Sequence, residues 1–314
     1  MTELIILLVI AIAFILFLAF IFVSARLSYK LAFRADRKKS DNIYKHLDGD
    51  EPWRVRMREM VDRLSAVEFS DLYITSRDGL RLHAYYKAGR EGAPLAIMCH
   101  GYRSSPFLDF SGGAFIAMEK GYSVLLIDQR SHGKSEGEAI TFGVLERFDV
   151  LDWALYMREN FSPEKIFLYG VSMGAATVIM AGELPLPPEV VGIIADCPFS
   201  SPEKIINKVS SDMGFPEWLF RLPTRIAARM HAGFNLRAAS PEQAIKKCKL
   251  PLLLIHGDAD GYVPHQMSLD IYSARPEGTE HITFAGADHA RSYVTDSEKY
   301  KTAINKFEEK ILRR

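Results

Sequence analysis

Lys165-Ile166-Phe167-Leu168-Tyr169-Gly170-Val171-Ser172-Met173-Gly174-Ala175-Ala176 holds a short apolar run, a Gly-x-Ser-x-Gly turn and the start of a small-residue helix. Residues 165–169 read as a buried strand and residues 173–183 as a helix. The Gly-x-Ser-x-Gly pattern alone occurs by chance. Between a buried strand and a helix it describes a sharp turn that lifts one serine hydroxyl above a sheet. Side chains two residues either side of that serine would collide, and Gly170 and Gly174 remove them. The next helix starts at once, so its N-terminal dipole and free N–H groups face any negative charge developing beside Ser172. The bland alternative is an ordinary Gly/Ser turn.

Outward from this stretch, strands and helices alternate. Residues 94–99, 123–127, 190–195, 250–256 and 281–284 are further apolar runs of strand length. Residues 106–120, 144–159 and 297–312 read as helices between or after them. Short apolar strands alternating with helices predict an α/β fold, a mostly parallel sheet with helices on both faces. Residues 68–75 and 80–87 form a leading antiparallel hairpin around Arg77-Asp78-Gly79, since Asp-Gly between β-rich runs is a strong turn signal. Residues 199–239 exceed a simple crossover and carry Phe215, Trp218, Leu219, Phe220, Leu222, Ile226 and Met230. They predict a small helical cap over the site; the alternative is a decorated crossover that covers nothing.

A serine hydroxyl needs a base, and the base needs an orienting acid. After the nucleophile the expected order is Asp or Glu, then His. Asp260 lies just past the run 250–256, and His289 just past 281–284. Both therefore belong to the sheet edge that carries Ser172. Asp258 competes with Asp260 on position, and Asp288 reads as a cap for the final helix. His100, His132 and His256 also end strands; the first two precede the serine and do not fit the order. His281 begins a strand and reads as structural. An oxyanion needs two backbone N–H donors, one from Met173 and one from the loop after residues 94–99, where Tyr102 is the candidate.

Residues 4–23 are an unbroken apolar run. At about 1.5 Å per residue this crosses a hydrocarbon core of roughly 30 Å. A cleaved signal peptide is the alternative, but Glu3 sits where a basic residue belongs and the run is too long. Arg26, Lys30, Arg34, Arg37, Lys38 and Lys39 follow it, which predicts a single-pass protein with its C-terminal domain in the cytoplasm. From Trp53 to Leu64 apolar residues recur at helical spacing among Arg54, Arg56 and Arg58. This reads as a basic helix on the bilayer or as a surface helix packed on the domain, with the second favoured.

Of the 314 residues 48% are hydrophobic and 25% charged, which supports a large core and no disorder. Basic and acidic residues both number 39, so charge gives no reason to expect a nucleic-acid partner. There is no zinc-finger spacing and no Gly-rich phosphate loop. Cys99, Cys197 and Cys248 lack CxxC pairing, which argues against a disulfide framework and a cysteine metal site.

Taken together, these motifs resemble the α/β-hydrolase superfamily, most closely its serine-aminopeptidase-like branch with small caps and membrane anchors. The matching residues are His100-Gly101-Tyr102, Asp128 to Ser135, Gly170 to Gly174, Asp196-Cys197-Pro198-Phe199, His256 to Asp260 with Val263-Pro264, and Ala287-Asp288-His289. They span about residues 68–312. The resemblance implies that Asp260, not Asp258, is the acid, and that Asp128 to Ser135 is a structural loop in which Ser131 replaces a commoner glycine. It implies no metal and no organic cofactor. The expected division is an anchor at 1–25, a juxtamembrane linker and helix at 26–67, and a hydrolase domain at 68–314 with the cap at about 199–239. The expected activity is ester hydrolysis of an apolar acyl substrate through an acyl-serine. A peptidase, a thioesterase or acyltransferase, and a non-enzymatic membrane scaffold are the alternatives.

Overall fold

The computed structural model describes residues 1–35, 44 and 47–313. Arg37, Lys38 and Lys39 of the basic cluster lie outside the described residues. The chain begins with α1 (Thr2–Ser28), continued by one π-helical stretch at Tyr29–Phe33. Helix α2 (Pro52–Ser65) leads to the hairpin β1 (Ser70–Thr75) and β2 (Arg81–Lys87). Then come β3 (Leu95–Cys99), α3 (Pro106–Asp109), α4 (Gly113–Glu119) and β4 (Ser123–Asp128). Helix α5 (Glu146–Phe161), β5 (Ile166–Val171), α6 (Met173–Ala181) and β6 (Val190–Asp196) follow. The long connection after β6 carries α7 (Pro202–Asp212), α8 (Glu217–Met230) and α9 (Pro241–Ala244). Strand β7 (Leu252–Gly257), α10 (Gln266–Ala274), β8 (Thr279–Phe284), α11 (Ser292–Thr295) and α12 (Ser297–Leu312) complete the chain.

The eight strands form one sheet in the order β1-β2-β4-β3-β5-β6-β7-β8. The pairs β1–β2 and β2–β4 are antiparallel, and every other pair is parallel. β3, β5 and β7 are buried along their whole length because helices cover both faces. Strand alternation splits β3 between them. Leu95, Ile97 and Cys99 join Trp153 of α5 and Val178 of α6, while Ala96 and Met98 join Ala114 of α4 and Phe307 of α12. Helix α2 buries Val61 and Leu64 on the second face, and its Arg56 donates to Val294 O and Ser297 Oγ. It is thus a surface helix packed on the domain.

Two local expectations need correction. The helix read over 106–120 is broken into α3 and α4 by residues 110–112: Phe110 leaves helical backbone at φ −109° and ψ 17°, and Tyr293 packs so closely on Gly112 that a Cβ there would lie 2.2 Å from its ring. The final helix is capped by Asp296, which accepts from Lys299 N–H at 2.9 Å, and not by Asp288.

A third apolar cluster lies beyond the carboxyl ends of the strands. It joins Ile205 and Ile206 of α7 and Ala227 and Ala228 of α8 to Phe142, Met173 and Phe199. Ala25 of α1 and Phe33 belong to the same cluster. Small residues make the approach possible: Ser24, Ala25 and Ser28 meet a face of α8 holding Thr224, Ala227 and Ala228. Arg34 pairs with Ala139 in an antiparallel bridge, and Ile140 N–H donates to Phe33 O at 2.7 Å. The first eighteen residues of α1, 2–19, stay exposed.

Candidate active site

The sheet order reverses at β3 and β5. The chain leaves β3 toward α3 and α4 on one face, and leaves β5 toward α6 on the other. The crevice between the two departing loops is where ligands bind in such sheets. Ser172 stands there, at φ 55° and ψ −115°, immediately before α6. Its N–H donates to Asp196 O at 2.8 Å, which ties the turn to β6. Both glycines are required by space. A Cβ on Gly170 would lie 2.3 Å from Gly174 O, and one on Gly174 would lie 1.8 Å from Cys99 O.

The structure brings Ser172, His289 and Asp260 into one line. Ser172 Oγ donates to His289 Nε2 at 2.9 Å, and His289 Nδ1 donates to Asp260 Oδ2 at 2.7 Å. This pattern sets the tautomer: Nδ1 carries the proton and Nε2 is free to accept one. Asp260 is buried, and its other oxygen accepts from Tyr262 N–H at 2.9 Å and Val263 N–H at 2.8 Å. Burial alone would raise its pKa. The hydrogen bonds from His256 and His289, with the Val263 N–H, outweigh burial and hold the carboxyl well below the usual carboxylate range. Asp258 is turned elsewhere and accepts from Gly286 N–H at 2.7 Å.

His100 and His132 are structural parts of the rim. His100 Nδ1 donates to Gly101 O and its Nε2 accepts from Gln129 N–H. His132 Nδ1 donates to Arg130 O and its Nε2 accepts from Arg103 N–H. Burial lowers the pKa of both, so they stay neutral and act as fixed connectors. Together with Asp109, which accepts from Gly101 N–H at 2.6 Å, His132 secures the backbone on both sides of Tyr102. A Cβ on Gly101 would stand 3.3 Å from Ser172 Cβ, so this loop packs directly on the elbow. Ser268 Oγ donates to His265 O at 3.0 Å and accepts from His281 Nε2–H at 3.1 Å, away from the line, and burial lowers the His281 pKa to about 4.

Sequence reasoning assigned no supporting role to four contributors. His256 Nε2 lies 3.2 Å from Asp260 Oδ2 and supports the acid from below. Tyr262 sets its ring 5.1 Å from the His289 ring. Asp109 is hidden in a short helix, and Asp196 accepts from Ser292 Oγ at 3.3 Å behind the elbow. Burial raises the Asp196 pKa to about 6, against the opposing charge of His256 and a hydrogen bond from Tyr300. No spacing rule points to these residues: Tyr262 and Asp196 meet partners remote in sequence, and the contacts of His256 and Asp109 depend on how the intervening turns fold.

Strained backbone gathers around the line. Arg103, Ser172, Cys197 and Ala290 all hold positive φ without being glycine, each at a cost of about 1–3 kcal/mol that the surroundings must offset. Ser131 also adopts φ 68°, the conformation that explains why a glycine is commoner there. Its Oγ donates to Ala139 O at 2.8 Å and retains the loop shape. Cys197, Asp260 and His289 each bring one ligand atom within 4.8 Å of the others. Their hydrogen bonds already occupy two of these groups, and burial, with the nearby Asp196 and Asp260 charges, pushes the Cys197 thiol well up. That disfavours the thiolate a metal would need.

A cavity of about 270 Å³ adjoins the line. Tyr102, Arg103 and Tyr262 border it on the side of the line, Phe142 and α7 and α8 wall it, and Leu27, Ser28, Leu31 and Ala32 close it from the N-terminal helix. Tyr102 stacks on Phe142 at 5.1 Å, and its hydroxyl donates to Ala32 O at 2.9 Å.

A family profile described as serine aminopeptidase, S33, matches residues 96–238. The YqkD protein of Bacillus subtilis is 25% identical over 253 residues, covering 79% of this chain and 82% of its own. The YfhR protein of Escherichia coli K12 is 25% identical over 258 residues, with 81% and 78% covered. The crystal structure of the Pyrococcus furiosus esterase Pf2001 superposes with a TM-score of 0.64 at 25% identity, covering 80% of this chain and 95% of that one. With the strand order, the elbow and these likenesses in agreement, the chain belongs to the α/β-hydrolase superfamily.

Proposed function

We propose that the chain is a membrane-anchored serine hydrolase that cleaves a carboxylic ester of an apolar acyl group. One observation carries this reading: the Ser172–His289–Asp260 hydrogen-bond line at a strained elbow. His289 takes the Ser172 proton as Oγ bonds to the acyl carbon. The Tyr102 and Met173 N–H groups bind the resulting oxyanion. Collapse breaks the ester C–O bond, and His289 gives the proton to the departing alcohol. Water, deprotonated by His289, then releases the acid and regenerates Ser172. Asp260 stays ionised and stabilises the imidazolium.

The aminopeptidase-like profile favours a second reading, cleavage of aminoacyl bonds. A substrate ammonium group demands a carboxylate beside the scissile bond. Among the described residues lining the cavity there is none; Arg103 is the charged group. Ester hydrolysis therefore fits better. The expected result is fluorophosphonate labelling of the wild type and none of Ser172→Ala, with turnover of p-nitrophenyl esters exceeding that of aminoacyl anilides. Labelling that persists in Ser172→Ala, or the reverse preference, would overturn the reading.

Helix α1 supports the anchor: its apolar stretch is long enough to cross a bilayer. Arg26, Lys30 and Arg34 after it favour a cytoplasmic catalytic domain. A C-terminal alkaline phosphatase fusion should then be inactive in a bacterial host, whereas an active fusion would reverse the orientation.

A further inference from the structure

The cap and the spanning helix are one packed unit, and this has a consequence for the substrate. Phe220 of α8 meets Phe20 of α1 with ring centroids 6.4 Å apart, Thr224 Oγ1 donates to Ser28 Oγ at 3.2 Å, and His231 meets Tyr29 at 5.7 Å. These contacts rise together along both helices. The first turns of α8 therefore point back toward the amino end of α1, into the level of its apolar run. Phe20 lies three residues inside Val23, the end of that run, or roughly 5 Å along the axis. Helices lying in a bilayer boundary bury their apolar face to a depth of about 5–10 Å.

At that level α8 turns apolar side chains outward. Trp218 is 80% exposed and Leu222 is 50% exposed, one turn apart on one face. Met213, before α8, is 54% exposed. In water this patch has no physical justification; beside a spanning helix it has an occupant. Tryptophan is the side chain that settles at a membrane boundary. Arg26, Lys30 and Arg229 stand farther toward the carboxyl ends of the two helices, the level at which lipid phosphates would lie.

The cavity continues the same path. Leu27, Leu31 and Met213 line it and are themselves exposed, so it is open beside α1. Its far side ends at Tyr102 and Tyr262, next to His289. An acyl chain could thus leave the leaflet along Leu27 and Leu31 and reach Ser172 without crossing water.

We propose that α8 docks in the leaflet beside α1 and that the cavity holds the acyl chain of a bilayer lipid, admitted laterally past Leu27 and Leu31. The choice of an acyl chain rests on the ester-hydrolase reading; the docking of α8 does not.

The test uses the full chain in phosphatidylcholine–phosphatidylglycerol vesicles and has two arms. In the first, the fluorescence lost on Trp218→Phe isolates the Trp218 signal. That signal should be quenched by lipids brominated near the headgroup; an unquenched signal overturns the docking. In the second, Leu27→Trp and Leu31→Trp narrow the passage. They should lower kcat/KM for p-nitrophenyl palmitate dissolved in the vesicles by about tenfold or more, while p-nitrophenyl acetate stays within about twofold. Equal loss on both esters, or loss on neither, overturns the acyl-chain site. A wild type that takes up no fluorophosphonate would refute the hydrolase reading instead, and the quenching arm would still decide the docking.

Discussion

His289→Ala is expected to lower kcat for p-nitrophenyl butyrate about a million-fold, and Asp260→Asn about ten-thousand-fold. The first variant removes the one side chain that, among the described residues, hydrogen-bonds Ser172 Oγ. Without it the hydroxyl keeps its proton at neutral pH and attacks poorly. The second keeps the shape but removes the charge. Asp260 accepts bonds at both oxygens, from Tyr262 and Val263 on one and from His289 and His256 on the other. An amide oxygen facing the backbone donors would turn its NH₂ toward His289. That forces the imidazole into the wrong tautomer, with no acceptor nitrogen left for Ser172. Circular dichroism would check that both variants fold. A folded His289→Ala protein losing less than about a hundredfold would mean that another base serves Ser172.

Gly174→Ala is expected to destabilise the fold by about 3 kcal/mol or more. The added carbon would fall 1.8 Å from Cys99 O and 2.7 Å from His100 O. Both are backbone atoms at the end of β3, so no side chain can swing aside to relieve the clash. Relief would require β3 and α6 to part, and that would also undo the loop that carries Tyr102. Gly261→Ala is the matched control. Nothing lies within 4 Å of a Cβ there, so its effect should stay within about 0.5 kcal/mol. Urea unfolding of the two variants reads both. Equal midpoints would show that the elbow tolerates a methyl group, contrary to its geometry.

The contrast between these glycines shows what a sequence can carry. The demand for Gly170 is local, since a Cβ there would meet Gly174 O in the same turn, and strand, turn and helix are contiguous, so the elbow was legible even though the atoms that crowd Gly174 belong to the end of β3. The same holds for the buried runs that became β3, β5 and β7, where every residue faces a helix. Asp260 and His289 could be placed because each directly follows a strand. Helix α10 was not foreseen; it buries only Met267, Ser268 and Ile271 and leaves a weak pattern. His256 read as a strand-end histidine, and its support of Asp260 depends on the turn between them. The need for a glycine at 112 comes from Tyr293, far along the chain. Least legible was the fate of Ala25, Ser28 and Phe33. They follow directly on an apolar helix, and their partners Ala227, Thr224 and Phe234 come some two hundred residues later.

That last arrangement governs reach. An enzyme on a slack tether sweeps a hemisphere above the surface and can meet whatever drifts by in solution. Here the bridge at Arg34–Ala139 and the Tyr102 hydroxyl on Ala32 O bolt the reactive rim to the N-terminal helix. On the proposed reading, in which that helix spans a bilayer, the rim would hold one height and one tilt and glide only with its helix. Its search would then be two-dimensional, at a speed set by diffusion within the leaflet.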